Sequence, residues 1–215
     1  LNGEPILEIG FHHAASANDG VGMFPLERSI KARTAEALAT IIFERGGYRL
    51  ARFGIEELFR EVKLLSDSDY LRLNLDGRLR ALPDFLVSTP SMDVAHQVEV
   101  KFRSNVGQAA RDELAMALSR QREFWPQTCV LLLVGKSSNG PNAKFFQDYV
   151  RVIDTSVTPE EISRKRPDNE FWKSLPQIAD IFPLVKKSDF ELDSVLPFLR
   201  EMTKLNGTPG SASTA

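Results

Sequence analysis

The sequence predicts an α/β fold: a mixed β-sheet flanked by helices, with a helical extension at the C-terminal end. Three observations carry this expectation. A long run of helical periodicity ends at a glycine pair and is followed by short alternating segments. One later segment, "TCVLLLVG", is apolar without interruption, as a strand covered on both faces would be. Beyond Thr158 the texture changes to short polar-apolar stretches broken by Pro159, Pro167, Pro176, Pro183 and Pro197, which suits short helices and little else.

Taken in order, residues 1–24 read as an arm, with a strand-like "PILEIGF" and a turn-rich "SANDGVG". A helix follows from Pro25, a residue suited to a first turn, to Arg45. Ile30, Thr34, Leu38, Ile41 and Ile42 recur on it at helical spacing, and Gly46-Gly47 stops it. "YRLARF" (Tyr48–Phe53) alternates as a strand does, and "IEELFREVKLL" reads as a short helix. Asp76-Gly77 stands between alternating runs and predicts a hairpin, its second arm passing through Asp84 into "FLV". "HQVEVKF" is the next strand. A helix from Val106 to Trp125 places Ala110, Leu114, Ala117 and Leu118 on one side, and "NAKFFQDYVRVI" reads as a last strand. The expected organisation is an arm (1–24), an α/β core (25–155), a helical extension (156–205) and a low-complexity, disordered tail (206–215).

The chain has 215 residues, is 42% apolar and carries a net charge of −2. It can bury a core, and it is no polycation. A polyanionic partner would have to be held by a local basic surface or through metal ions. The single cysteine, Cys129, permits neither an internal disulfide nor a zinc cluster and suits a reducing cytoplasm. No apolar run reaches the roughly 20 residues that span a bilayer, and no basic-then-apolar leader pattern is seen. A cytoplasmic protein with no membrane partner is expected.

The chemistry concentrates in "HQVEVKF". Side chains alternate across a strand, so Val98, Val100 and Phe102 share one face while Glu99 and Lys101 share the other. Upstream, "LPDFLV" is joined to this strand by the turn-rich "STPSMD", so the two are expected to be neighbours and Asp84 to approach Glu99 and Lys101. Two converging carboxylates repel each other, and a hard divalent cation between them relieves the repulsion. Magnesium is usually held by one or two carboxylates, with phosphate oxygens and water completing its shell. A lysine beside it can orient a water molecule. These are the parts of metal-assisted phosphodiester hydrolysis.

Pro83-Asp84 followed by Glu99-Val100-Lys101 resembles the PD-(D/E)XK nuclease superfamily, which includes restriction endonucleases and Holliday junction resolvases. The resemblance spans about Pro25 to Val134. It implies a restriction endonuclease-like core, with Asp84, Glu99 and the Val100 carbonyl holding Mg²⁺ (or Mn²⁺ in its place) and Lys101 acting on the attacking water. DNA is the implied partner, and 5′-phosphate and 3′-hydroxyl ends the implied products. Many members add a glutamate from the helix before the first core strand. Glu36 takes that place by its distance from the strand. Glu27 is the competitor, since it projects along the centre of the apolar stripe while Glu36 falls at the stripe's edge. Gln121, in "QREFW", is faintly similar to a Q-x-x-x-Y element of one branch of the superfamily, although Trp125 stands where the tyrosine would be.

Simpler readings stand beside these. Glu99 and Lys101 could be a solvated pair on an edge strand, although apolar strands on either side speak against an edge. Gln121 could be an ordinary helix residue, and Arg103, on the polar face, either a phosphate contact or a solvated side chain. His12-His13 and His96 read as surface or packing residues, and Phe145, Phe146 and Trp172 as core. Glu61-Val62-Lys63 and Pro167-Asp168 repeat the motif's letters without its context. A homodimer would let two strands be cut. Restriction-type and structure-specific cleavage are both open. The rival function is a catalytically silent nuclease-like fold serving as a nucleic-acid-binding or assembly subunit.

Overall fold

The computed structural model describes residues 25–58, 72–136 and 148–186, with 65, 69, 197 and 198; side chains at 25–28, 56 and 58 fall outside that description. Helix α1 (Pro25–Arg45) leads into β1 (Arg49–Arg52), α2 (Ile55–Leu58) and α3 (Gly77–Arg80). Then come β2 (Phe85–Ser88), β3 (Ala95–Arg103), α4 (Gln108–Phe124), β4 (Thr128–Val134) and β5 (Val150–Ile153). Three short helices, α5 (Pro159–Ser163), α6 (Asp168–Ser174) and α7 (Ile178–Ile181), close the described part. The expected strand at 5–11, His12-His13, the Glu61–Lys63 repeat, Phe145-Phe146, the side chain of Glu27 and the tail lie outside the described residues.

The five strands run β1-β2-β3-β4-β5 in one sheet. The β3–β4 pair is parallel and the other three are antiparallel. The fold is therefore α/β with a mixed sheet, as the sequence predicts. The parallel pair needs a crossover, which α4 supplies. Strand β3 is central, flanked by β2 and β4, which removes the edge-strand reading of Glu99 and Lys101.

Helices cover both faces of the sheet. On one, His96 of β3 packs on Phe182 with ring centroids 4.9 Å apart, and Phe182 packs on Phe43 of α1 at 4.8 Å. On the other, Gln121 of α4 reaches Glu99 of β3. Every residue of β4 is buried. Each of its leucines and valines contributes about 1.5–3 kcal/mol by leaving water. Phe171, Trp172 and Phe182 belong to the same apolar core as the strands, and the Val152 N–H on edge strand β5 donates to the Pro176 carbonyl at 3.1 Å. The helical extension is thus packed into the core and shields one sheet edge.

Two expectations need correction. Asp76-Gly77 does not turn a hairpin. The Asp76 carboxylate caps α3, accepting from the Arg78 N–H at 2.7 Å, and β2 pairs with β1 and β3 instead. Gly77 is there for space, because a Cβ would stand 2.9 Å from the Phe124 ring. A capping aspartate before a small residue carries the same two letters as a tight hairpin, and local sequence does not separate them. The second correction concerns α1. Ile30 and Ile41 are 45% and 40% exposed, while Ala35, Leu38, Ala39, Ile42 and Phe43 are buried. The stripe is rotated because the small alanines allow α1 close to the sheet, whereas scoring by apolar bulk favours the isoleucines. Gly47, at φ +82°, ends the helix in the left-handed region.

Candidate active site

Strands β2 and β3 are joined by a tight local turn. The Thr89 N–H donates to the Val94 carbonyl at 3.0 Å, and the Asp93 carboxylate accepts from the Thr89 and Ser91 hydroxyls. That turn fixes the register, with Phe85 opposite Val98. Asp84 therefore stands one step before the start of β2, level with Glu99. Its carboxylate accepts from the Val100 N–H at 2.7 Å. Because the N–H and C=O of one residue point to the same side of a strand, the Val100 carbonyl lies on this same edge of β3.

On the other side of the motif, the Lys101 ammonium donates to Glu99 Oε1. Gln121, 8% exposed, donates to Glu99 Oε2 at 2.8 Å. Its helix is buried along Arg111, Leu114, Ala115, Leu118 and Gln121, so Gln121 ends the stripe that faces the sheet and is no ordinary surface residue. Glu99 is thus gripped at both oxygens, one by an ammonium and one by an amide. Gripping of this kind fixes a carboxylate's direction.

Burial, then repulsion from Glu99, pushes the Asp84 carboxyl up to about 8. Lys101 and the Val100 N–H act against this, and Glu36 adds to it. Burial pulls the Lys101 ammonium down, but Glu99, Asp84 and the hydrogen bond to Glu99 together outweigh it, leaving the pKa above its ordinary value. Lys101 is therefore charged near neutrality. Asp84, by contrast, sits in the condition that a nearby cation relieves.

These groups open into a cleft of about 400 Å³. Asp84 and Glu99 line it, together with Glu36 from α1 and Glu57 from the start of α2. Arg33, Arg52 and Arg80 line it as well. Glu36 lies just beside the buried stripe of α1, which carries its partly buried side chain past the apolar contact and into the cleft. Of the two helix glutamates weighed from sequence, Glu36 is the one seen here; the side chain of Glu27 is not described. Arg103 goes elsewhere. Its guanidinium donates to the Phe102 carbonyl at 2.9 Å, and burial lowers its pKa while Glu113 supports the charge. It is neither a lining residue nor fully solvated. Pro167-Asp168, the sequence decoy, starts α6, with Asp168 exposed and 3.7 Å from Arg111.

The donor set suits a hard divalent ion. Among the described residues no three His, Cys, Asp or Glu side chains stand together at metal-binding spacing. Asp84, Glu99 and the Val100 carbonyl would form the protein's share of such a site, leaving positions for water and phosphate oxygens, which is the way magnesium is usually held. Sequence reasoning missed the arginines and Glu57. Arg52 sits opposite Phe85 in the β1–β2 register, next to Asp84, and only knowledge of that long-range pairing would have exposed it.

The chain matches no protein-family model, no curated protein and no solved structure. Among the described residues, no helix is long and apolar enough to cross a membrane.

Proposed function

We propose that this chain is a metal-dependent nuclease of the PD-(D/E)XK type that hydrolyses DNA phosphodiester bonds. The observation that carries the reading is the joint one at the start of β2: Asp84 is partly buried beside Glu99, and Lys101 is held against Glu99. A bound Mg²⁺ would supply Lewis-acid activation of a water molecule and neutralise charge on the phosphate. Asp84 and Glu99 would hold it, and Gln121 would keep the Glu99 carboxylate turned toward it. Glu36 orients water across the cleft.

Lys101 is charged, so its part is to donate rather than to abstract. Its ammonium orients the attacking water and stabilises the negative charge that builds on the phosphate oxygens. The water oxygen forms a bond to phosphorus as the P–O3′ bond breaks. The water's proton leaves to solvent, and the departing 3′ oxygen takes one, giving 5′-phosphate and 3′-hydroxyl ends. The lone buried thiol suits work in a reducing cytoplasm.

The test is incubation with supercoiled plasmid, linear duplex, single strands and a four-way junction, in Mg²⁺ and then in EDTA. Cleavage in Mg²⁺ alone is expected, and its pattern separates restriction-type from structure-specific action. One observation favours a second reading. The Glu99–Lys101 pair closes on itself, as it would in a silent nuclease-like fold acting as a binding or assembly subunit. Thermal melting against Mg²⁺ decides between them. A working site is stabilised by the ion and loses that shift in Glu99→Gln, whereas a silent one shows no shift.

A further inference from the structure

The carboxylates occupy only part of the cleft. Arg33, Arg52 and Arg80 come from three separate elements, α1, the end of β1 and α3, yet all line the same 400 Å³. They are far apart in sequence, so their convergence is a product of the fold. We propose that they form a phosphate clamp, binding the backbone phosphates of a polynucleotide on either side of the bond presented to Asp84 and Glu99. This rests on the nuclease reading for the choice of ligand.

The chemistry of the three supports a polyphosphate strand over a single small anion. Guanidinium presents a planar fork of donors matched to phosphate oxygens and stays charged at any working pH. Arg52 is held but not saturated. It stands 3.5 Å from Glu36 and 4.0 Å from Glu57, with its charge 5.5 Å from the centre of the Phe85 ring. Contacts of that length between partly exposed groups are weak, so either can be exchanged for a phosphate oxygen. The Phe85 ring, 1% exposed, is rigid support beneath it. Arg80 is anchored by its Nε, which donates to the Leu75 carbonyl at 3.2 Å. The short helix that carries it is pinned in turn, since the Trp125 indole N–H donates to the Arg78 carbonyl at 3.0 Å and the Phe53 and Trp125 rings meet at 5.6 Å. Arg33 lies one helical turn before Glu36 and is exposed, so it extends the same wall outward.

The charge balance gives the clamp a condition. Glu36, Glu57 and Glu99 line the cleft with the three guanidiniums, Asp84 is held neutral there, and Lys101 stands against Glu99 just behind them. A divalent cation brings in more positive charge than the proton it displaces from Asp84, so the strand and the ion should favour each other's binding.

The experiment reads binding, not cleavage. The full-length Asp84→Asn protein keeps an acceptor for the Val100 N–H and removes the proposed catalysis. In that background, a fluorescein-labelled duplex of arbitrary sequence is titrated at several salt concentrations in EDTA, with Arg33→Ala, Arg52→Ala, Arg80→Ala, the triple variant and Arg164→Ala. Arg164 is exposed on α5's C-terminal side and does not line the cleft. Each cleft substitution is expected to weaken binding about threefold to tenfold. Each should also lower the slope of log affinity against log salt by about one, the mark of a lost phosphate contact. Arg164→Ala should leave both unchanged. Arg33→Ala, at an exposed helix position, keeps the test valid if the triple variant fails to fold. Absence of duplex binding by the parent protein, or equal slopes across the set, overturns the clamp. Cleavage by the wild type alongside equal slopes sinks the clamp and leaves the nuclease standing. Arginine-dependent binding without cleavage under any metal does the reverse.

Discussion

Charge is buried in two regions of this molecule, and it is satisfied in opposite ways. At the seam between the sheet and the helical extension, the charges are arginines answered mainly by backbone carbonyls. Arg122 donates to Val157 at 2.7 Å and Asp154 at 2.6 Å. Arg111 donates to Arg166 at 2.9 Å, and Arg151 to Trp172 at 3.3 Å. Arg111 and Arg151 also lie over the rings of Phe171 and Trp172. At the start of β2, by contrast, the charges answer one another. Asp84, Glu99 and Lys101 form a coupled set beside an open cleft. The seam directs most of its bonded donors to fixed backbone partners, and the donors it leaves unpaired, Arg111 Nε and Nη1, Arg122 Nε and Arg166 Nε, are buried under the extension, out of reach of a ligand. The cleft keeps like charges close together at some cost in stability, a pattern more typical of working sites than of scaffolding.

The comparison breaks first at Lys101. If the cleft is the chemical region, Lys101→Met should reduce cleavage by about three orders of magnitude, the scale seen when a charge-stabilising donor is removed. The melting temperature should barely move. Initial rates on plasmid and a melting curve on the same preparation check both halves. Activity surviving in Lys101→Met would remove the role given to it.

The seam should respond in the opposite sense. Arg122→Ala takes the guanidinium from the Val157 carbonyl, leaves the Asp154 carbonyl with only the Val157 N–H at 3.3 Å, and empties the space of a long side chain. A loss of about 3 kcal/mol is expected from these lost hydrogen bonds and from lost packing. Urea denaturation measures it. DNA affinity per folded molecule should be unchanged, and a large fall in affinity would mean that the two regions are coupled.

The two regions also differ in how far they could be read from sequence. Asp84, Glu99 and Lys101 were legible because the signals are local: alternation within β3, and a short turn from Ser88 to Asp93 that makes β2 and β3 neighbours. The all-apolar β4 and the proline-broken helices were legible for the same reason. The arginine side of the cleft was hidden, because Arg52 reaches Asp84 only through the register of β1 on β2, and Arg80 only because Asp76 caps a helix where a hairpin was expected. Gln121 was undervalued because its helix was read by apolar bulk, whereas the buried stripe runs through Arg111 and Gln121. The carbonyl partners of the seam arginines were beyond reach, since no side-chain pattern marks a backbone acceptor.

A third prediction sharpens the electrostatic side. The Asp84 pKa is raised, from 3.8 to about 8, so the folded state holds that proton more tightly than the unfolded chain. Its contribution is fully present below about pH 4 and is lost as pH rises toward 8. Asp84→Asn cannot lose it. In EDTA the variant and wild type should be nearly equal in stability at pH 4, and the variant should lead at pH 7. Each pH unit over which the carboxyl is held neutral is worth about 1.4 kcal/mol, and water entering the open cleft reduces the total to on the order of 2 kcal/mol. Denaturation curves at several pH values test this. A wild type that gains on the variant as pH rises would reverse the sign of the argument.

The smallest expected effect separates a positioning role from a structural one. Gln121 touches Glu99 and lies at the end of a buried stripe, so it could serve either region. Gln121→Leu keeps the volume and apolar packing but removes the amide donor from Glu99 Oε2. If Gln121 only fills space, stability and rate should both survive the change. If it aims the carboxylate, stability should move by less than about 1 kcal/mol, since water from the cleft can take the vacated place. The Mg²⁺ concentration needed for half-maximal cleavage should then rise about tenfold, the lower end of what misdirected metal ligands cost. Gln121→Glu should be worse than Gln121→Leu, because it sets a third carboxylate against Glu99 and Asp84 instead of a donor. An unchanged metal requirement in both variants would return Gln121 to the core and leave Lys101 as the partner that orients Glu99.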